Sequence, residues 1–124
     1  MLDSIKEPTH NRLIATFKAV GPYVREEHCI DGCYVFDCLS VCINDKKEPE
    51  KREFWGWWME LTKEGEHFSS VSRVGRYDSR GKWVIEEPGT SELEEVKRTH
   101  EVFLEKIKTA LKEKFDLDIE LNSL

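Results

Sequence analysis

The apolar spacing predicts an α+β domain, an antiparallel sheet of three to four strands packed by an N-terminal helix and a long C-terminal helix. Three observations carry this prediction. Leu13, Ile14, Phe17 and Val20 form an apolar stripe at helical spacing, alternating β-favouring runs fill the middle, and Leu93, Val96, His100, Phe103, Ile107 and Leu111 recur at three- and four-residue steps near the end. At 124 residues the chain supports one domain, 1–124, able to bury roughly 65% of its unfolded surface. The first few residues and the tail after about Asp116 are expected to fray.

The first helix is placed from Pro8 to Val20, with Thr9 as its N-cap and Gly21-Pro22 as its stop, because glycine tolerates the left-handed conformation and proline cannot continue the ladder. Tyr23 to Glu27 then reads as an extended connector. After the Asp31-Gly32 turn, Cys33 to Ile43 forms a long strand with Val35, Leu39, Val41 and Ile43 on one face and Tyr34, Phe36, Cys38 and Cys42 on the other. A strand apolar on both faces belongs at the centre of a sheet. Asp37 interrupts the first face, and a desolvated carboxylate requires a partner; the residues leave a structural salt bridge and a binding role both open.

Asn44 to Glu53 is a charged loop in which four acids offset four bases. It leads into Arg52-Glu53-Phe54-Trp55-Gly56-Trp57-Trp58-Met59-Glu60-Leu61, which holds three of the chain's four tryptophans. Alternation places Glu53, Trp55, Trp57, Met59 and Leu61 on one face and Arg52, Phe54, Gly56, Trp58 and Glu60 on the other. Both faces carry large rings, so one set is expected in the core and the other presents aromatic anchors to a partner. Arg52 sits where the polar loop meets the rings, and arginine beside tryptophan and tyrosine is the composition of binding hot spots.

A hairpin turn at Lys63-Glu64-Gly65-Glu66 leads to a third strand, Phe68 to Tyr77, polar enough for a sheet edge. Asp78-Ser79-Arg80-Gly81 turns the chain back through Trp83, which either caps the core or stands exposed. Ser91-Glu92-Leu93-Glu94 reads as a capping box opening the long helix, with acids in its first turns and Lys106, Lys108, Lys112 and Lys114 in its last, as the helix dipole favours. His100 in its apolar stripe reads as a packed histidine.

Composition narrows function. The net charge of −6 and pI near 5.3 oppose nucleic-acid binding, which needs a concentrated basic surface. The start of the chain lacks the basic and apolar regions of a signal peptide, so a cytoplasmic location is expected. There is no nucleophile elbow, phosphate loop, dinucleotide fingerprint or zinc-protease motif, which favours a binding protein over an enzyme and calls for no cofactor or metal. One alternative is a small cytoplasmic thiol- or metal-dependent protein built on Cys29, Cys33, Cys38 and Cys42; it must contend with Cys38 and Cys42 being roughly 13 Å apart on a strand. Another is a single-strand nucleic-acid binder stacking bases on Trp55, Trp57 and Trp58.

Three stretches, Gly21-Pro22-Tyr23-Val24-Arg25-Glu26, Phe36-Asp37-Cys38-Leu39-Ser40-Val41-Cys42-Ile43-Asn44 and Arg52 to Leu61, in this order and at these separations, resemble the Crl family of bacterial sigma factor-binding proteins. The likeness is strong from about Arg12 to Leu61 and looser through the long helix. It implies a non-enzymatic transcriptional activator that binds sigma-S, the stationary-phase sigma factor, and promotes its assembly with core RNA polymerase into holoenzyme. It also implies no promoter reading by the protein itself, and a contact with the clamp of the large polymerase subunit. Carried over by position, the resemblance makes Arg52 the arginine that meets acidic residues in the second region of sigma-S, with Tyr23, Phe54 and Trp57 as the aromatic contacts. Arg25, Asp37 and Trp83 match family positions as well. Gly32-Cys33 departs from the more polar pair expected there, and Thr62 to Thr90 diverges.

Overall fold

The computed structural model describes residues 8–65 and 67–124, so the expectation for the first few residues lies outside it. Helix α1, His10–Val20, starts where Thr9 Oγ1 accepts from the Arg12 amide at 3.4 Å, satisfying one of the amides that a helix start leaves without a partner. It stops at Gly21, whose φ of 151° lies in a region that side chains resist. Strands β1 (Cys33–Cys42), β2 (Phe54–Glu64), β3 (His67–Tyr77) and β4 (Trp83–Ile85) form one antiparallel sheet in the order β1-β2-β3-β4. The long helix α2, Thr90–Phe115, follows.

Both helices lie on one face of the sheet. Leu13 and Phe17 from α1, and Val96, Phe103, Ile107 and Leu111 from α2, enclose Tyr34, Phe36, Trp57, Met59 and Leu61. The period-two pattern of β2 is therefore obeyed: Trp57, Met59 and Leu61 point into the core, while Phe54 and Trp58 take the other face. Phe17, Phe36 and Phe103 meet at centroid distances of 5.0–5.1 Å with tilted or edge-on planes, the arrangement that ring quadrupoles favour.

The structure revises several expectations. β1 is at the edge of the sheet, not its centre. Among the described residues no layer covers its outer face, where Leu39 is 41% exposed, so two apolar faces did not mean two buried ones. The Tyr23–Arg25 segment is more than a connector: Val24 bridges Phe36, the Arg25 amide donates to the Val35 carbonyl at 2.8 Å, and the Asp37 amide donates to the Tyr23 carbonyl at 2.9 Å. This pairing covers part of the open edge of β1, where bare backbone would invite other strands.

β3 is interior over Gly75 to Tyr77, where β4 pairs with it, and keeps an edge only before that. The capping box does not form. Gly89 is the N-cap, without a side-chain cap, and Ser91 Oγ donates instead to Glu92 Oε2 at 3.0 Å. Finally, the tail packs back against the core. Leu121 is buried, Leu117, Ile119 and Leu124 pack against the core, and the Asn122 amide donates to Ser70 Oγ at 3.4 Å. Four apolar side chains spaced along the tail give it a surface to dock with.

Candidate interaction surface

The face of the sheet turned away from the helices carries the candidate site. Asp37 lies opposite Trp58 in the β1–β2 register, Gly56 opposite Gly75 in β2–β3, and Tyr77 between Phe54 and Trp83. The rings of Trp58 and Trp83 meet at 4.7 Å, and those of Tyr77 and Trp83 at 5.2 Å. Trp83 thus neither caps the core nor stands free; it lies half-buried over the outer face.

Two glycines make room for these rings. A Cβ on Gly56 would approach Trp83 Cη2 to 3.1 Å, and one on Gly75 would approach Trp58 Cζ3 to 2.9 Å, each also running into a neighbouring strand's carbonyl. A glycine inside a strand marks such a close approach. Gly75→Ala is expected to cost about 1–3 kcal/mol through overpacking, measured by urea unfolding, with a change in the near-ultraviolet dichroism of the tryptophans.

Asp37 is the polar centre of the strip. Its Oδ1 accepts from Arg25 Nε at 2.7 Å and pairs with Nη2 of the same guanidinium, while Oδ2 accepts from Trp83 Nε1 at 3.3 Å. The hydrogen bond to Asp37 is the main reason the Arg25 pKa is raised further, against the opposing effect of desolvation. Asp37 therefore has the ion-pair partner that its partial burial calls for. Arg25, Asp37, Leu39, Trp58, Tyr77 and Trp83 line a groove of about 360 Å³.

At the other end of the strip stand Phe54 and Arg52. Arg52 is half-buried and extended, with φ −74° and ψ 144°, so it shares the face of Phe54 and Trp58. Its Nε donates to the Lys47 carbonyl at 2.9 Å and its Nη2 to the Asp45 carbonyl at 2.8 Å. Arg25, Arg76 and Arg98 each pair with a carboxylate. Among the described residues, no ion pair joins Arg52 to a carboxylate. Two backbone carbonyls thus fix its orientation without neutralising it.

Trp57 does not belong to this surface. It is 0% exposed, its Nε1 donates to Thr99 Oγ1 at 3.2 Å, and its ring stacks against Tyr23 at 6.1 Å and tilts against Phe103 at 4.8 Å. The alternation that puts Phe54 outward puts Trp57 inward, so a partner on the outer face touches one and not the other. Tyr23 also faces the core side, 4.9 Å from the Phe103 ring with Lys106 Nζ 5.7 Å above it. Its half-buried ring anchors the segment that presents Arg25 two residues later.

Of the seven sequence candidates, the structure brings Arg25, Asp37 and Trp83 into contact, puts Phe54 and Arg52 along the same face, and turns Trp57 and Tyr23 inward. Trp58 and Tyr77 complete the strip; the sequence offered Trp58 only as a base-stacking ring and did not offer Tyr77 as a contact. The parity of Trp58 and the glycines at 56 and 75 were the available signals.

All four cysteines are free and partly buried. Cys29 Sγ accepts from the Val35 amide and donates to the Arg25 carbonyl, both at 3.3 Å, and burial pushes its thiol pKa up. A thiol that resists ionisation is a poor nucleophile, and Cys29 instead braces the Arg25 turn. Among the described residues, no three or more His, Cys, Asp or Glu side chains are grouped to hold a metal ion. Among them also, no helix is long and apolar enough to cross a membrane.

A strip of rings, a shielded ion pair and an oriented arginine with no carboxylate joined to it among the described residues make a surface for binding another protein. The family model described as "Sigma factor-binding transcriptional regulator Crl" matches residues 1–123. The chain is also 46% identical over 123 residues to the sigma factor-binding protein Crl of Vibrio cholerae, covering 99% of this chain and 95% of that protein. Its identity to the protein of the same name from Vibrio vulnificus is 45% over 119 residues, covering 96% and 92%. For Photobacterium profundum it is 38% over 116 residues, covering 94% and 87%. The chain belongs to the Crl family of sigma factor-binding transcriptional regulators.

Proposed function

We propose that this chain acts in the cytoplasm as a non-enzymatic activator, binding sigma-S through the outer face of its sheet and promoting sigma-S assembly with core RNA polymerase. Arg52 is the principal contact and meets acidic groups of the sigma factor. Phe54 lies beside it, and the Arg25–Asp37 pair and Trp83 complete the contact. Family membership supports the partner class, and the observation that carries the site is Arg52 itself, held by two carbonyls with no carboxylate joined to it among the described residues.

Binding that favours the assembly-competent form of a sigma factor lowers the free energy of holoenzyme formation by the coupling between the two events. A coupling of about 1–3 kcal/mol is usual and raises occupancy several-fold where sigma is limiting. No promoter contact is required of a chain with a net charge of −6.

Titration calorimetry against purified sigma-S and, separately, the primary sigma factor tests this reading. Binding to sigma-S alone is expected, with Arg52→Ala losing about 2 kcal/mol or more if the contact is desolvated. Far-ultraviolet circular dichroism must show that the variant is folded. Absence of sigma-S binding by the wild-type chain sinks the partner, and undiminished binding by folded Arg52→Ala sinks the site.

A further inference from the structure

We propose that Arg76 is a positioning residue for the Arg52 contact: it ties up the Glu53 carboxylate, so that the acid next to Arg52 does not oppose an acidic partner. The inference rests on the reading that Arg52 meets acidic groups. Arg76 lies opposite Trp55 on one side and Val84 on the other. From there its Nη1 reaches Glu53 Oε2 at 2.5 Å and its Nε reaches Glu86 Oε2 at 2.6 Å.

Glu53 sits at a junction. Its carbonyl accepts from the Ile43 amide at 2.9 Å, closing the loop that orients Arg52, and its side chain follows Arg52 directly in the chain. Neighbours on an extended chain point to opposite sides. Arg76 holds Glu53 on its own side, away from the guanidinium and from the approaching partner. Without Arg76, both Glu53 and Glu86 lose the cation paired with them. Glu53 is then an uncompensated charge beside Arg52, able to swing toward it or to repel a carboxylate arriving there; either weakens recognition through electrostatics rather than through lost packing.

A double-mutant cycle read by calorimetry against purified sigma-S at low salt separates the two causes. Arg76→Gln is expected to bind about fivefold more weakly, and Arg76→Lys, which keeps the charge, within about twofold of wild type. Glu53→Gln alone is expected to stay within about twofold, and Glu53→Gln combined with Arg76→Gln to recover to within about twofold, because the charge that needed holding is gone. A merely structural Arg76 predicts a double variant no better than Arg76→Gln. That result overturns the proposal, as does wild-type binding by Arg76→Gln when Arg52→Ala has lost affinity. Full binding by Arg52→Ala overturns the Arg52 contact, and the role of Arg76 falls with it.

Discussion

Trp57→Ala is expected to lower folding stability by about 3–5 kcal/mol, the usual loss when a fully buried large ring is truncated. The side chain is 0% exposed and touches Tyr23, His100 and Phe103 at centroid distances of 4.8–6.1 Å, so its removal leaves a cavity among rings that cannot collapse into it. One hydrogen bond is lost as well, the indole N–H to Thr99 Oγ1 at 3.2 Å. Thr99 Oγ1 donates to the Val96 carbonyl at 2.9 Å and lies 2.7 Å from Ser40 Oγ, which is then the donor between the two hydroxyls; the indole N–H is its third contact.

A typical domain has a total stability of only about 5–15 kcal/mol, so much of the Trp57→Ala protein is expected to be unfolded at modest denaturant. Urea titration monitored by circular dichroism checks this. Trp57→Phe, which keeps most of the volume, is expected to keep the sigma-factor binding of the wild type. A folded Trp57→Phe that no longer binds would return Trp57 to the interface.

The second large effect comes from acid. His100 is buried, its Nε2 lies 2.9 Å from Ser72 Oγ, and its Nδ1 has no partner among the described residues. Desolvation lowers its pKa from 6.5 to about 4, with Glu101 opposing weakly. The unfolded chain therefore takes up a proton in a range where the folded one does not. The neutral histidine's contribution is complete above pH 6.5 and is lost as the pH falls towards 4, to a total of about 3 kcal/mol. His100→Gln, which retains a side-chain hydrogen-bonding group and does not titrate, is expected to flatten the stability profile between pH 6.5 and 4.5. Parallel pH profiles for the two proteins would contradict it.

Local pattern alone was enough to read most of the scaffold. Leu13, Ile14 and Phe17 reported the core stripe of α1, Thr9 its start, and the steps from Val96 to Leu111 the face of α2. These are properties of adjacent residues under a fixed helical or strand period. Alternation through the aromatic strand likewise separated Trp57 from Trp58 correctly. The resemblance then named Trp57 as a contact, a role the strand's own parity puts on the opposite side from Phe54.

What the sequence could not settle is what depends on distant segments meeting. β1 looked central because both its faces are apolar, yet only the partners chosen by β2 and β3 decide which strand is outermost. The Ser91 cap failed because Gly89 already supplied the extended residue at the helix start. Leu121 docks only because the sheet and α2 leave a surface for it.

The sequence by itself determined the element order, the core stripes and the family, since these rest on spacing and on residue identities along one line. Only the tertiary structure decided that Asp37 pairs with Arg25 and Trp83, that Gly56 and Gly75 give the indoles room, and that Arg76 takes the Glu53 carboxylate. Those contacts span from 12 to 46 residues of chain, and a charge finds its partner through space, where local periodicity carries no information.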